Sequence, residues 1–134
     1  MAMLEALEGI AKTYKAKLKS AGFSNTDQLL VKGATPAGRK SIAADTSISE
    51  KLILRWVNMA DLFRIKGVGE EYSDLLEAAG VDTVPELAQR NAENLHQKVE
   101  EVNAKKKLVR RVPSLKEIED WIGQSKKLPR KVNY

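Results

Sequence analysis

The sequence predicts an all-α protein made of two tandem copies of one helical unit, residues 1–61 and 62–134, packed as one compact body. Three observations predict it. Apolar residues recur at spacings of three and four, no segment sustains period-two alternation, and the chain repeats itself at an offset of 58 residues.

The repeat is seen by setting LEGIAKTYKAKLKSAGFSNTDQLL, from Leu7, beside RIKGVGEEYSDLLEAAGVDTVPELA, from Arg64. Gly9 matches Gly67, Ile10 matches Val68, Tyr14 matches Tyr72 and Leu18 matches Leu76. Ala21 and Ala79, Gly22 and Gly80, and Leu29 and Leu87 continue the register. Each copy opens with a glycine-containing turn into a helix with a stripe of Ile10, Tyr14 and Leu18, or of Val68, Tyr72 and Leu76. Gly22 and Gly80 stop those helices, because a left-handed exit costs glycine little. Thr83 with Pro85 then reads as an N-cap and first-turn proline, as does Thr35 with Pro36 ahead of a short helix from Ala37 to Ala44.

The second half of each copy is looser. A helix within ISEKLILRWVNMADLFRI corresponds to one within VPSLKEIEDWIGQSKKL at an offset of about 64, so the second copy has gained residues near 104–109. Ser47 with Glu50 and Ser114 with Glu117 each fit a capping box. Trp56 and Trp121 occupy matching positions among aliphatic residues and are expected to anchor the two cores. The connection Met59–Arg64 is expected to be helical and to hold the copies in a fixed relation.

Composition limits the chemistry. There is no cysteine and one histidine, His96, which leaves no thiolate nucleophile, disulfide or multi-histidine metal site. Aromatic residues make up 5% of the chain, too few for a platform stacking successive bases. No run approaches 18 apolar residues, and MAMLEALEGIAKTY carries glutamates where a signal peptide is apolar, so a cytoplasmic protein without a membrane partner is expected. The net charge of +5 is uneven: residues 104–134 carry +7 and the rest −2. That asymmetry suits either a polyanionic partner or a solvated tail.

A helix, a short apolar-glycine turn and an antiparallel helix resemble a helix-hairpin-helix motif. KLKSAGFSNTDQLL with ISEKLILRWVNMA, and more closely GVGEEYSDLLEAAGVDTVPELA, resemble the double unit at the N-terminus of strand-exchange recombinases. Taken with RRVPSLKEIEDWI, the chain is similar to an uncharacterised bacterial family, a domain of unknown function, with paired helix-hairpin-helix domains. The resemblance implies tandem, SAM-like repeats and hairpins that meet nucleic-acid phosphates without reading sequence. The physics of such contact is an exposed set of amide donors at a helix start, the positive dipole end and a nearby cation.

By that requirement four turns differ. Gly67-Val68-Gly69 has the most suitable backbone, preceded by Arg64 and Lys66, but Glu70 and Glu71 follow. Gly9-Ile10-Ala11 is followed by Lys12 and Lys15. Thr46-Ser47-Ile48-Ser49 lacks glycine, and Arg111-Val112-Pro113-Ser114 combines a cap with local positive charge. The expected binding residues are Gly67, Val68 and Gly69 with Lys105, Lys106, Lys107, Arg110 and Arg111, and Lys126, Lys127, Arg130 and Lys131 as auxiliary charge. The expected partner is a DNA or RNA backbone, the alternative a second protein for which the chain is an adaptor. No cofactor, metal or small-molecule substrate is expected.

Enzymatic readings lack residues. His96 lies beside the apolar face Leu95, Val99 and Val102 of a helix from about Ala92 to Lys105, with no nucleophile motif to serve. Glu70–Glu71 and Glu100–Glu101 are neighbours along a helix and point apart. Gly67-Val68-Gly69 follows a helical stretch and lacks the third glycine of a dinucleotide turn.

Overall fold

The computed structural model describes Leu4 and residues 12–133. Among them are eight helices and no strand: α1 Lys12–Ser20, α2 Thr26–Lys32, α3 Pro36–Thr46, α4 Glu50–Leu62, α5 Glu70–Ala78, α6 Val84–Ala88, α7 Ala92–Lys106 and α8 Leu115–Lys127. They fall into two compact units. Unit 1 is residues 1–61 with 131–134, and unit 2 is residues 62–130.

The repeat extends from sequence to backbone. α1 and α5 are nine residues each and start 58 apart, α2 and α6 start 58 apart, and α4 and α8 are thirteen each, starting 65 apart. Helix exits match as well. Gly22 and Gly80 take φ of +98° and +94°, and Ser47 and Lys107, which close α3 and α7, take the left-handed φ of 59° and 51°. Side chains start several helices. Asn25 accepts from Gln28 N, Thr35 from Gly38 N and Asn91 from Asn94 N, each filling one of the donors a helix start leaves open.

Three sequence expectations change in detail. Ser47 does not open α4 with Glu50; it closes α3, and Ser49 Oγ accepts from Leu52 N at 3.2 Å instead. A left-handed residue must end one helix before the next can begin, which moves the cap two residues on. The helix opened by Thr35 runs on to Thr46, whose hydroxyl donates to Ile42 O at 2.7 Å, and α4 ends at Leu62 rather than continuing to Arg64.

Each unit closes around a tryptophan. Trp56 is fully buried in unit 1 with Leu18, Leu29, Ile42 and Ile53, and Trp121 is buried in unit 2 with Leu76, Leu87, Val99 and Ile118. The same tilted ring pair recurs: Tyr14 on Trp56 at 5.5 Å and 58°, Tyr72 on Trp121 at 5.2 Å and 52°. Such pairs contribute about 0.5–1.5 kcal/mol beyond buried area, and each buried aliphatic side chain about 1.5–3 kcal/mol.

Unit 1 has one further tie. The buried Arg39 donates from Nη1 to Gly33 O at 2.8 Å and from Nη2 to Asn133 O at 2.7 Å, while Asn133 N donates to Ala34 O at 2.8 Å. Val132, the residue before Asn133, is 2% exposed. This short segment joins unit 1 although it follows unit 2 in the chain.

Candidate nucleic-acid interface

Gly67 and Gly69 are exposed while Val68 between them is buried. Gly67 takes φ of +100°, and a Cβ there would stand 3.0 Å from Trp121 Nε1, so both conformation and space demand glycine. The turn is held from α8: Gln124 Oε1 accepts from Lys66 N at 2.8 Å, and Gln124 Nε2 donates to Lys66 O at 3.1 Å and to Asp120 Oδ2 at 2.9 Å. Arg64 Nη1 donates to Pro129 O at 2.9 Å. Gly69, in extended conformation, starts α5 and has no side chain to cap it. The main-chain N–H groups of Glu70 and Glu71 have no acceptor among the described residues, so this helix start is open to solvent. The exposed carboxylates of Glu70 and Glu71 stand beside it.

The Arg111 turn is organised differently. Ser114 Oγ accepts from Glu117 N at 3.1 Å and Glu117 Oε1 accepts from Ser114 N at 3.0 Å, the reciprocal pair of a capping box. Arg111 adds a two-pronged contact, Nη1 to Oε1 at 2.8 Å and Nη2 to Oε2 at 3.0 Å. The guanidinium, followed by the Ser114 amide, holds the Glu117 carboxyl down to about 2, and Arg111 is raised in return. A carboxylate of the chain itself therefore occupies the place an outside anion would take, with the turn's own arginine as its partner. At this turn cap and charge are paired with each other within the chain. Tyr72 Oη donates to Arg111 O at 3.1 Å, and Pro113 and Val109 are buried beneath the loop.

The remaining cations fall into two groups. Lys105 and Lys106 occupy the last turn of α7, Lys107 its left-handed cap, and Arg110 the loop beyond; all four are exposed and none forms an ion pair with a described residue. Lys126 and Lys127 end α8. Lys126 borders a cavity of about 370 Å³ together with Arg90, Asn91 and Ala92 at the start of α7. Since α7 has fifteen residues, that end lies about 20 Å along its axis from Lys105–Lys107. The basic segment is thus split between opposite ends of α7. The Gly67 turn meets the second half of α8 through Lys66 and Gln124, Arg64 reaches Pro129 beyond that helix, and Lys131 belongs to unit 1.

The Gly9 turn lies outside the described residues. At the Ser47 turn the donors are used internally, Ser47 N on Ala43 O at 2.9 Å and Ile48 N on Thr46 Oγ1 at 3.3 Å. Sequence reasoning underweighted α1: Lys12, Lys15, Lys17 and Lys19 make four lysines in nine residues with no acidic one, a signal that counting charge helix by helix finds. His96 Nδ1 lies 2.9 Å from Glu100 Oε1 on the same helix. Among the described residues no group of three or more His, Asp or Glu is placed to hold a metal, and no helix is long and apolar enough to cross a membrane.

Residues 8–128 match the family described as a domain of unknown function, DUF4332. The chain belongs to that family. The match takes in both units, from the stretch before α1 to the residue after α8, and includes the Gly67 turn, the Arg111 turn and the Lys105–Arg110 run. No solved structure matches the chain.

Proposed function

We propose that the chain is a non-enzymatic, sequence-independent binder of a nucleic-acid backbone, with its two units acting as tandem helix-hairpin-helix repeats. The observation that carries this reading is the exposed run Lys105, Lys106, Lys107 and Arg110, four cations within six residues and without an ion-pair partner among the described residues. Cations at a helix C-terminus gain from the dipole, which accounts for Lys105 and Lys106. Arg110 lies beyond the helix and gains nothing from it, so a polyanion supplies the reason to expose it there. The open amides at the start of α5 add a second contact to phosphate, weakened by Glu70 and Glu71 and aided by Lys66. Contacts of this kind fix position without specifying sequence.

Binding of duplex DNA followed by fluorescence anisotropy across a salt series tests the reading. Four phosphate contacts give a logarithmic salt slope of about −3.6. Lys105→Glu, Lys106→Glu and Arg110→Glu together should abolish binding measurable at low salt. Arg111→Ala should leave the slope unchanged, because Glu117 already neutralises that side chain. Binding that survives the triple change, or does not respond to salt, sinks the proposal.

A further inference from the structure

Gly123 lies inside α8, four residues before its end, and is exposed. Glycine in an exposed helix interior weakens the helix relative to alanine. The fold supplies no reason for it. Unlike Gly67, Gly123 has a negative φ, and a Cβ there, apart from the helix's own backbone, would meet nothing within 4 Å. The surface beside it is concave, a cavity of about 370 Å³ bordered by Gly123 on one side and by Arg90 and Asn91 ahead of α7 on the other. A missing side chain in an open hollow lets the backbone of another molecule come close to α8.

The charges on that face are self-complementary. Glu119, Gly123 and Lys126, spaced by four and then three, share one stripe of α8. Glu119 stands one turn before the glycine and Lys126 one turn after it. Both are exposed, and neither forms an ion pair with a described residue. Lys126 is in the last turn, where the helix dipole favours a cation, so its charge alone asks for no partner. The order of acid, glycine and base decides which partner the hollow fits. A polyanion laid along the stripe would meet Glu119. A second α8, antiparallel and crossing at its own Gly123, instead sets Glu119 of each copy opposite Lys126 of the other.

We propose that the chain forms a two-fold symmetric dimer in which α8 of one copy packs on α8 of another at Gly123. The contact is isologous, so the same charge pair forms on both sides of the axis. Packed helix axes stand about 8–10 Å apart, and glycine at the crossing permits the near end of that range. α8 is about 20 Å long, so the interface is at the small end of specific contacts and the dimer is weak.

Sedimentation equilibrium of the full chain over a concentration series reads the dimer. The wild type should dimerise, and less so as the Debye length falls from about 10 Å at 0.1 M salt to about 3 Å at 1 M. Gly123→Gln puts a long side chain at the crossing and should weaken the dimer at least about tenfold. Glutamine is the better helix former, so this variant should unfold at an equal or higher urea concentration, which separates lost contact from lost fold. Glu119→Lys alone and Lys126→Glu alone set like charges together and should each weaken association about tenfold. The variant carrying both changes restores complementarity and should dimerise within about threefold of the wild type. A wild type that stays monomeric across the series overturns the proposal. So does a Gly123→Gln variant that dimerises unchanged, or a double variant no tighter than the single ones. If Gly123→Gln lowers DNA affinity without changing self-association, the hollow serves a polyanion and the dimer contact is overturned.

Discussion

Unit 1 passes from α3 to α4 through residues 47–49, whereas unit 2 passes from α7 to α8 through residues 107–114. Both connections begin with a left-handed residue and end at a serine cap, Ser47 to Ser49 in one and Lys107 to Ser114 in the other. The difference shows where the repeat tolerates change. Extra residues in unit 2 leave the tyrosine–tryptophan pair as it is in unit 1, but add an exposed loop bearing Arg110 and Arg111. Asn103 fixes that loop by holding Val109 from both sides, accepting its N–H at 2.9 Å and donating to its carbonyl at 3.2 Å. Cores are conserved between the units by packing; surfaces diverge because solvent imposes little on them.

The largest test of this comparison lies inside the cores. Counted from the caps Thr35 and Asn91, Arg39 of unit 1 stands where unit 2 has Leu95, and both are buried. Unit 2 fills the position with an apolar side chain, while unit 1 spends it on two carbonyl contacts, one of them to Asn133. Arg39→Ala should therefore destabilise unit 1 by about 3 kcal/mol, since two charge-assisted bonds are lost and the buried Gly33 carbonyl is left without the guanidinium. Urea unfolding followed by Trp56 fluorescence in a Trp121→Phe background reads unit 1, and the reverse background reads unit 2. Equal shifts in both reporters would show that the residue serves the whole chain rather than one repeat.

Glycine turns sharpen the comparison at a smaller scale. Gly22 and Gly67 both have positive φ, but a Cβ meets nothing within 4 Å at Gly22 and meets the indole of Trp121 at Gly67. Gly22→Ala should cost about 1 kcal/mol, the conformational term alone, and Gly67→Ala should cost about 2 kcal/mol or more as the indole is displaced. Near-ultraviolet circular dichroism should change only for the Gly67 variant, because only there does an aromatic ring move.

Local signals made much of this fold legible. Glycine at Gly22 and Gly80, caps at Thr35 and Ser114, and tryptophans in matching aliphatic stretches each follow from sterics or periodicity within a few residues. The site was less legible because its glycine turn is held by contacts distant in sequence. Gln124 meets Lys66 across 58 positions, and no local pattern announces that pairing. The basic segment reads as continuous along the chain, yet α7 carries its two halves to opposite ends. Arg111 reads as a free cation beside a cap until Glu117, six residues on, is seen to satisfy both.

The smallest expected effect distinguishes the two serine caps. Ser49 works alone on Leu52 N in unit 1, whereas Ser114 belongs to a box completed by Glu117 and Arg111 in unit 2. Loss of either serine hydroxyl should cost about 1 kcal/mol at neutral pH, the range for such caps. Acid should separate them. The Glu117 carboxyl is depressed from near 4.5 to about 2 in the folded chain, so its contribution is fully present above about 4.5 and is lost as pH falls towards 2. Glu117→Gln keeps an acceptor for the Ser114 amide but no charge for Arg111, so its deficit relative to wild type should shrink over that interval when read by Trp121. The Ser49→Ala deficit, read by Trp56, involves no carboxylate and should stay constant relative to wild type over the same interval. A Glu117→Gln deficit that persists unchanged at pH 2 would mean that the ion pair with Arg111 adds nothing to the cap, and Arg111 would again be available to an outside anion.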